Sequence, residues 1–506
     1  MTRLLITGAS GFIGVHLLRE LMKSHQIFAV ARGRAEPAGA PVHPNIEWLQ
    51  ADVSSRADVL ALHERLRAAG GVDVVIHLAA YYDFTGRDAP EYRSTNVEGL
   101  RNVLDISRRL KPRRFIFSSS VAACDFTPPG RAIHDATPPD GRSCYARSKR
   151  LGEEMVRESA GAFPCTVIRF AALFSDWCQY EPLYVFLSEW LSPGWRSRVL
   201  AGKGRSAIPY LHIRDAMSFF GRLLASLDDL EPFETLTAST DGATSHRDLY
   251  AAATACHFGQ RRRPVLVPRI ACRAGIRALD VLGRVSGSRP FERPWMGSCI
   301  DRELAVDASR TRSRLAWLPK ERLGILRRMP FLIHNRRTYP DEWLKRNHVA
   351  AKRVRLRSST KIQTLLAAHE DAICRRLEQV LQDPVRSHRF SAYLGCLPEH
   401  LEERHHLLTA QLLCAIRTGD KGVFMNCCRH LAERWREQGL PLEELWGALE
   451  CLDQVCLETL RKLPEAAELE SALNDHISMT VHFAIDAVHE VNERHAQRDP
   501  RPGAAG

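Results

Sequence analysis

At 506 residues, with 45% apolar and 26% charged side chains, the chain is long enough for two or three domains and has the composition of a soluble globular protein. No apolar stretch approaches the roughly 18 residues of a membrane span, no room for a signal peptide precedes the first strand, and fourteen cysteines in so long a chain read as reduced thiols, so the expected compartment is the cytoplasm. The net charge of +12 comes from scattered arginines, clustered at 261–263 and from Lys345 to Lys361, without zinc-finger spacing or an aromatic-interleaved basic strand; no nucleic-acid partner is expected, and an anionic membrane surface suits the charge better.

Leu4-Leu5-Ile6 reads as a buried strand entering Thr7-Gly8-Ala9-Ser10-Gly11-Phe12-Ile13-Gly14, after which a helical pattern begins with Phe12, Ile13, Val15, Leu17, Leu18 and Leu21. Gly8 permits the tight turn, Gly11 lets backbone approach a pyrophosphate, and Gly14 lets the helix pack closely on the sheet. The amides of Ser10, Gly11, Phe12 and Ile13, at the positive end of the new helix, are placed to receive the phosphates of a dinucleotide. Strands then follow at 26–31 and 46–50, a helix at 59–69, a strand at 72–78, a helix at 92–110 and a strand at 114–118. A second long helix runs from 145 to 159 and a further strand from 165 to 170. This alternation predicts an α/β fold, a doubly wound parallel Rossmann sheet.

Residues 171–345, rich in Pro, Trp and Arg, are expected to form most of a smaller substrate lobe within a first domain spanning 1–345. A basic stretch without apolar periodicity, 346–361, reads as a linker. From 362 to 498 glycine and proline become scarce, and about five amphipathic helix patterns predict a separate all-α domain. Its histidines and cysteines lack the tight spacing of a dedicated metal site, so packing is the better account of Cys427 and His430 and no metal is expected.

Tyr145 and Lys149, at i and i+4, share a helix face. An ammonium one turn from a phenol is expected to pull its pKa down from ~10 toward the working range. Phe115-Ile116-Phe117 leads into Ser118-Ser119-Ser120 at the carboxyl end of a strand, where a parallel sheet lines its ligand crevice, so Ser120 can hydrogen-bond a reacting oxygen.

With these motifs the chain resembles the epimerase/dehydratase branch of the extended short-chain dehydrogenase/reductases over roughly residues 1–340. The ordered elements are Gly8, Gly11 and Gly14; Asp52-Val53; His77-Leu78-Ala79-Ala80; Asn96; Ser120; Tyr145 and Lys149; and the later segment Leu211-His212-Ile213-Arg214-Asp215. The resemblance implies Tyr145 as acid/base, Lys149 holding the nicotinamide ribose, Ser120 orienting the substrate oxygen and Asn96 in support. It implies further cofactor contacts from Asp52 and Val53, from Leu78, Ala79 and Ala80, and from Ser118. It also implies dimerisation through the helices carrying Asn96 and Tyr145, which nothing in these residues by themselves requires.

The second strand ends Ala31-Arg32-Gly33-Arg34, without the acid that would bind ribose hydroxyls. Arg32 suits a 2′-phosphate, which favours NADP over NAD. After the strand at 165–170 the asparagine and Gly-Pro expected of nucleotide-sugar enzymes are missing. Nearby aromatics (Phe174, Trp177, Tyr180, Tyr184, Phe186, Trp190, Trp195) suit an apolar or ring-shaped substrate, with core packing as the bland alternative, and Tyr81-Tyr82 are placed to face the pocket. The segments 430–439 and 441–445 weakly resemble RsbR-like helical sensor domains, implying a regulatory module with a protein partner; an extension packing on the enzyme or its dimer mate is the structural alternative. Two functions follow from these readings: hydride transfer on a secondary alcohol or carbonyl, or a dinucleotide-binding redox sensor signalling through the tail.

Overall fold

Leu4, Leu5 and Ile6 are wholly buried, which a strand achieves only when both faces of its sheet are covered. The computed structural model describes residues 1–35, 39–192, 194–285, 291–351, 358–385, 387–395, 401–418, 420–467 and 469–496. The chain divides into two units, Met1–Val354 and Arg355–Gly506. In the first, seven strands form one sheet: β1 (Arg3–Thr7), β2 (Gln26–Ala31), β3 (Ile46–Gln50), β4 (Val74–His77), β5 (Arg114–Ser120), β6 (Cys165–Phe170) and β7 (Phe233–Ala238). Their order is β7-β6-β5-β4-β1-β2-β3, and every pairing is parallel. The order reverses between β1 and β4, so the crevice for a ligand opens above the carboxyl ends of these two strands.

The period-2 alternation of side chains splits the strand residues between two cores. Leu4, Ile6, Ile27, Ala29, Val74, Ile76, Ile116 and Ile168 pack against Leu17, Leu18 and Leu21 of helix Phe12–Leu21 and against Phe219, Phe220 and Leu223 of helix Ile213–Ala225. Leu5, Phe28, Val30, Val75, Phe115, Phe117 and Val167 face helices Arg56–Ala68, Gly99–Leu110 and Cys144–Ser159 through Leu62, Leu66, Val103, Leu104 and Val156.

Three differences from the sequence expectations bear on the site. The helix expected over 92–110 is interrupted by a π-turn, Ser94–Glu98, which rotates Asn96 into the interior. Strand β5 runs to Ser120, two residues past its expected end. Part of the segment assigned to a substrate lobe returns to the main sheet: helix Ile213–Ala225 covers one face and β7 adds its edge beside β6. The β7 sequence, Phe-Glu-Thr-Leu-Thr-Ala, has no continuous apolar run and so carries no strand signal of its own.

The remaining lobe holds a core of Phe174, Leu183, Tyr184, Leu187, Trp190, Tyr210, Tyr250, Met329 and Trp343. Phe174, Tyr184 and Trp190 are therefore packing residues, whereas Trp195 is 72% exposed. His212 accepts from the amide of Arg214 and hydrogen-bonds Asp176, which also holds Arg328 in a two-point contact at 2.6 and 2.7 Å. Buried Asp215 accepts from the amide of Lys320.

The second unit consists, among the described residues, of helices Ser358–Ala368, Glu370–Leu381, Leu401–Thr418, Gly422–Glu437, Leu442–Arg461 and Met479–Ala496, with shorter turns between them. The first of these begins inside the stretch read as a linker. The helices enclose one core that includes Leu377, Leu412, Phe424, Trp435, Leu452, Cys428, Cys456, Val481 and Val488. His430 lies on the exposed side of its helix, hydrogen-bonded to Glu433. No described helix is long and apolar enough to cross a membrane, and every cysteine among the described residues is free.

Candidate active site

Three glycines shape the turn after β1. Gly8 has φ +71°, and a Cβ there would lie 2.6 Å from the amide nitrogen of Ala79 and 2.8 Å from the carbonyl carbon of Leu78. The chain leaving β4 thus crosses directly over the turn, with Leu78 and Ala79 donating to the Thr7 carbonyl and hydroxyl. At Gly14 a Cβ would meet the Gly8 carbonyl oxygen at 2.5 Å, so the helix can approach the strand only without a side chain there. Gly11 is the N-cap and gives no side-chain bond to the first turn, which leaves the amides of Phe12 and Ile13 available to an anion. Ser10 and Ala80 stand exposed at the same mouth.

Arg32 and Asp52, at the ends of β2 and β3, line an open cleft of about 510 Å³ together with Gln50, Ala51 and Asp58. One oxygen of Asp52 accepts from the amide and hydroxyl of Ser54, and its backbone amide donates to Asp58. Val53 does not join them: its side chain is buried in the core against Gly99, and its carbonyl accepts from Asn102.

Helix Cys144–Ser159, capped by Ser143, brings Tyr145 and Lys149 beside the end of β5. Ser120, whose oxygen accepts from the amide of Ala122, faces the Tyr145 hydroxyl. Lys149 is 4% exposed and donates to the carbonyl oxygen of Ser118 at 2.6 Å, with its ammonium 5.8 Å from the centre of the Tyr145 ring. The expected lowering of the phenol's pKa is not what the protein alone produces. Burial pushes Tyr145 up to about 12, opposed by the Ser120 hydroxyl. Burial lowers Lys149 to about 8, opposed by Glu153. The ammonium is engaged with a carbonyl, so desolvation dominates at the phenol.

Asn96 touches neither hydroxyl of the site. Its side chain accepts from the amide of Tyr81 (2.6 Å) and donates to the Tyr81 carbonyl and the Ser148 hydroxyl (3.0 Å each). It therefore pins the chain after β4 to the Tyr145 helix.

Glu153 and Arg169 beneath the site, and Phe84 and Phe291 above it, were not assigned from the sequence. Beneath the site, Glu153 accepts two bonds from Arg169 (3.0 and 2.7 Å) and one from the Ser119 hydroxyl, and Arg169 also donates to the carbonyl of Thr137. This buried network ties the Tyr145 helix to the strand carrying Ser120. Its signal was available: Glu153 lies at i+4 from Lys149, and Arg169 stands opposite Ser119 in the β5–β6 register. Above the site, Tyr82 packs against Tyr145 (4.3 Å between ring centres) and Phe84 (4.4 Å), and Phe84 extends the wall to Tyr180 (6.1 Å) and Phe291 (6.0 Å). Tyr82 was expected to face the pocket; the wall as a whole is a tertiary feature.

A parallel sheet with its glycine turn at the switch point and a Ser-Tyr-Lys cluster at the crevice defines a Rossmann-type dinucleotide fold. Residues 4–237 match the family model described as NAD dependent epimerase/dehydratase. A 3 beta-hydroxysteroid dehydrogenase/Delta 5-->4-isomerase of Mycobacterium tuberculosis is 34% identical over 125 residues, 23% of this chain and 31% of that protein. The 3 beta-hydroxysteroid dehydrogenase type 7 of Homo sapiens is 30% identical over 167 residues, 31% of this chain and 44% of that protein. The chain thus spans less than half the length of these relatives. A dTDP-glucose 4,6-dehydratase from Bacillus anthracis, solved in complex with NAD, shares the fold with a TM-score of 0.52 and 16% identity, over 68% of this chain and 98% of that one. Residues 4–237 thus carry a match to an NAD dependent epimerase/dehydratase domain, just under half of the chain.

Proposed function

We propose that the chain is an NAD(P)-dependent oxidoreductase acting on a secondary alcohol or carbonyl carried by an apolar, ring-shaped small molecule. The observation that carries this reading is the gathering of Ser120, Tyr145 and buried Lys149 beneath the aromatic wall of Tyr82, Phe84, Tyr180 and Phe291. When bound, a nicotinamide dinucleotide supplies or takes up the hydride. The turn at Gly8, Gly11 and Gly14 and the amides after it would hold its diphosphate, and Arg32 and Asp52 would meet its adenosine end. Arg32 is exposed at that cleft with no acid taking its place at the end of β2, which supports NADP over NAD. Lys149 would hold the second ribose.

Tyr145, kept protonated by burial, gives its proton to the oxygen that becomes an alcohol as the carbonyl carbon is reduced, and takes it back in the reverse direction. Ser120 shares that oxygen and orients it. The relatives named as 3β-hydroxysteroid dehydrogenases support an alicyclic substrate over a sugar nucleotide. The free cysteines support a reducing compartment such as the cytoplasm.

The test is a nicotinamide-absorbance assay with alicyclic ketones and alcohols in one arm and sugar nucleotides in the other. Turnover is expected in the first arm, and Tyr145→Phe should lower it by about 10³-fold while leaving dinucleotide affinity nearly unchanged. Undiminished turnover in that variant refutes the assignment of the proton. Dinucleotide binding without turnover on either arm would favour the redox-sensor alternative.

A further inference from the structure

Helix Arg269–Val285 is amphipathic in the wrong sense for a helix on a protein surface. The one fully buried side chain among its described residues is an acid, Asp280, 1% exposed. Asp280 accepts from Arg284 at 2.9 and 3.1 Å and faces Arg293 at 3.5 Å. Ile270, Leu279, Val281 and Leu282 point outward, 83%, 52%, 59% and 63% exposed. With 3.6 residues per turn, Arg269, Arg273, Arg277, Asp280 and Arg284 fall within a wedge of about 80°, and every other position is apolar or glycine. The usual arrangement sets the apolar face on the core; here part of the polar wedge does that and the apolar face meets solvent.

The surroundings continue the pattern. The strand before the helix exposes Val265 (48%) and pairs in parallel with Val199–Ala201, four residues after Trp195, which is 72% exposed. Between 261 and 284 the sequence holds seven arginines against one aspartate, with no lysine or glutamate, and that aspartate is neutralised by Arg284. An apolar surface with a tryptophan and an arginine rim is complementary to lipid chains below and anionic headgroups around them.

We propose that this face docks on the anionic surface of a lipid bilayer, with the helix lying in the plane of the interface. The charge argues against a second copy as the occupant, because pairing two such faces would set one arginine rim against the other. The helix also reaches toward the proposed pocket. Arg273 donates to the Gly297 carbonyl at 2.8 Å, and Trp295 lies so close over Gly86 that a Cβ there would come within 2.3 Å of the indole. Phe291 joins the wall through Phe84. An apolar substrate could thus enter from the membrane. That corollary rests on the function proposed above; the docking does not.

The test is sedimentation of the full chain with phosphatidylcholine vesicles, with and without roughly 30% phosphatidylglycerol. Binding is expected only to the anionic vesicles and should weaken as salt rises from about 0.1 to 0.5 M. The double variant Val281→Asp/Leu282→Asp and the pair Arg269→Glu/Arg277→Glu should each lose at least tenfold, about 1.4 kcal/mol, with circular dichroism unchanged because all four positions are exposed. Absence of wild-type binding at low salt, or full binding by the apolar-face variant, overturns the proposal. So does light scattering that shows a wild-type dimer made monomeric by Val281→Asp/Leu282→Asp, which would assign the face to a second copy. Vesicle binding without turnover would sink the proposed activity and leave the docking intact, and turnover without vesicle binding would do the reverse.

Discussion

Glu153→Gln removes the charge that faces Arg169 while keeping the size of the side chain. The two side chains are 7% and 2% exposed, and the guanidinium meets the carboxylate through two bonds, with a closest approach of 2.7 Å. Removing one partner of a buried pair leaves an uncompensated charge in the interior, at a cost of about 3–5 kcal/mol. The amide oxygen still accepts one bond from Arg169 or Ser119, which places the expected loss near the low end, about 3 kcal/mol. At about 2–4 °C per kcal/mol for units of a few hundred residues, the melting transition of the first unit should fall by roughly 6–12 °C. Circular dichroism melts at pH 7, with urea unfolding in parallel, give the number. Lys149 supplies a second readout. Glu153 opposes the burial that brings its ammonium to about 8, so the variant should lose the proton at lower pH and shift the alkaline limit of dinucleotide binding downward. Replacing both partners by apolar residues should recover much of the stability but not that limit. A melting shift under about 1 °C together with an unmoved alkaline limit would refute the network's assigned part.

Arg32→Ala should weaken NADPH binding by at least about tenfold, the worth of one charge-assisted contact, and leave NADH within about twofold, measured by nicotinamide fluorescence. Gly14→Ala puts a methyl group 2.5 Å from the Gly8 carbonyl oxygen; the backbone must give way, costing about 1–3 kcal/mol in a urea titration and weakening both dinucleotides. His77 is buried, and burial, with the Lys149 charge behind it, lowers its pKa to about 3. Between about 3 and the ordinary value of 6.5 the unfolded chain therefore binds the extra proton, so stability should fall as pH drops below 6.5 and level off near 3. Urea midpoints at pH 7.5 and 5 check the sign, and His77→Gln should flatten the decline.

The sheet was legible wherever a strand is buried on both faces, because Leu4-Leu5-Ile6 or Phe115-Ile116-Phe117 can be little else. β7 was not, since its burial depends on a neighbour far away in the chain. The neighbourhood of Tyr145 and Lys149 was legible, because spacing within one helix fixes it. Asn96 carried a motif but not its contacts: the π-turn that swings it onto Tyr81 and Ser148 has no signature in single-residue patterns. The sign of the Tyr145 shift was misread because spacing reveals a nearby ammonium but not how much desolvation outweighs it. The aromatic wall joins positions 82, 84, 180 and 291, and only the folded chain makes them neighbours.

That last separation has an evolutionary corollary. Ser120, Tyr145, Lys149, Glu153 and Arg169 come from one continuous stretch locked together by its own hydrogen bonds, while the wall is gathered from three distant places. Selection, or an engineer, can therefore recut the wall by altering positions 84, 180 or 291 without touching that stretch. The wall and the Ser-Tyr-Lys cluster are inherited on separate parts of the chain.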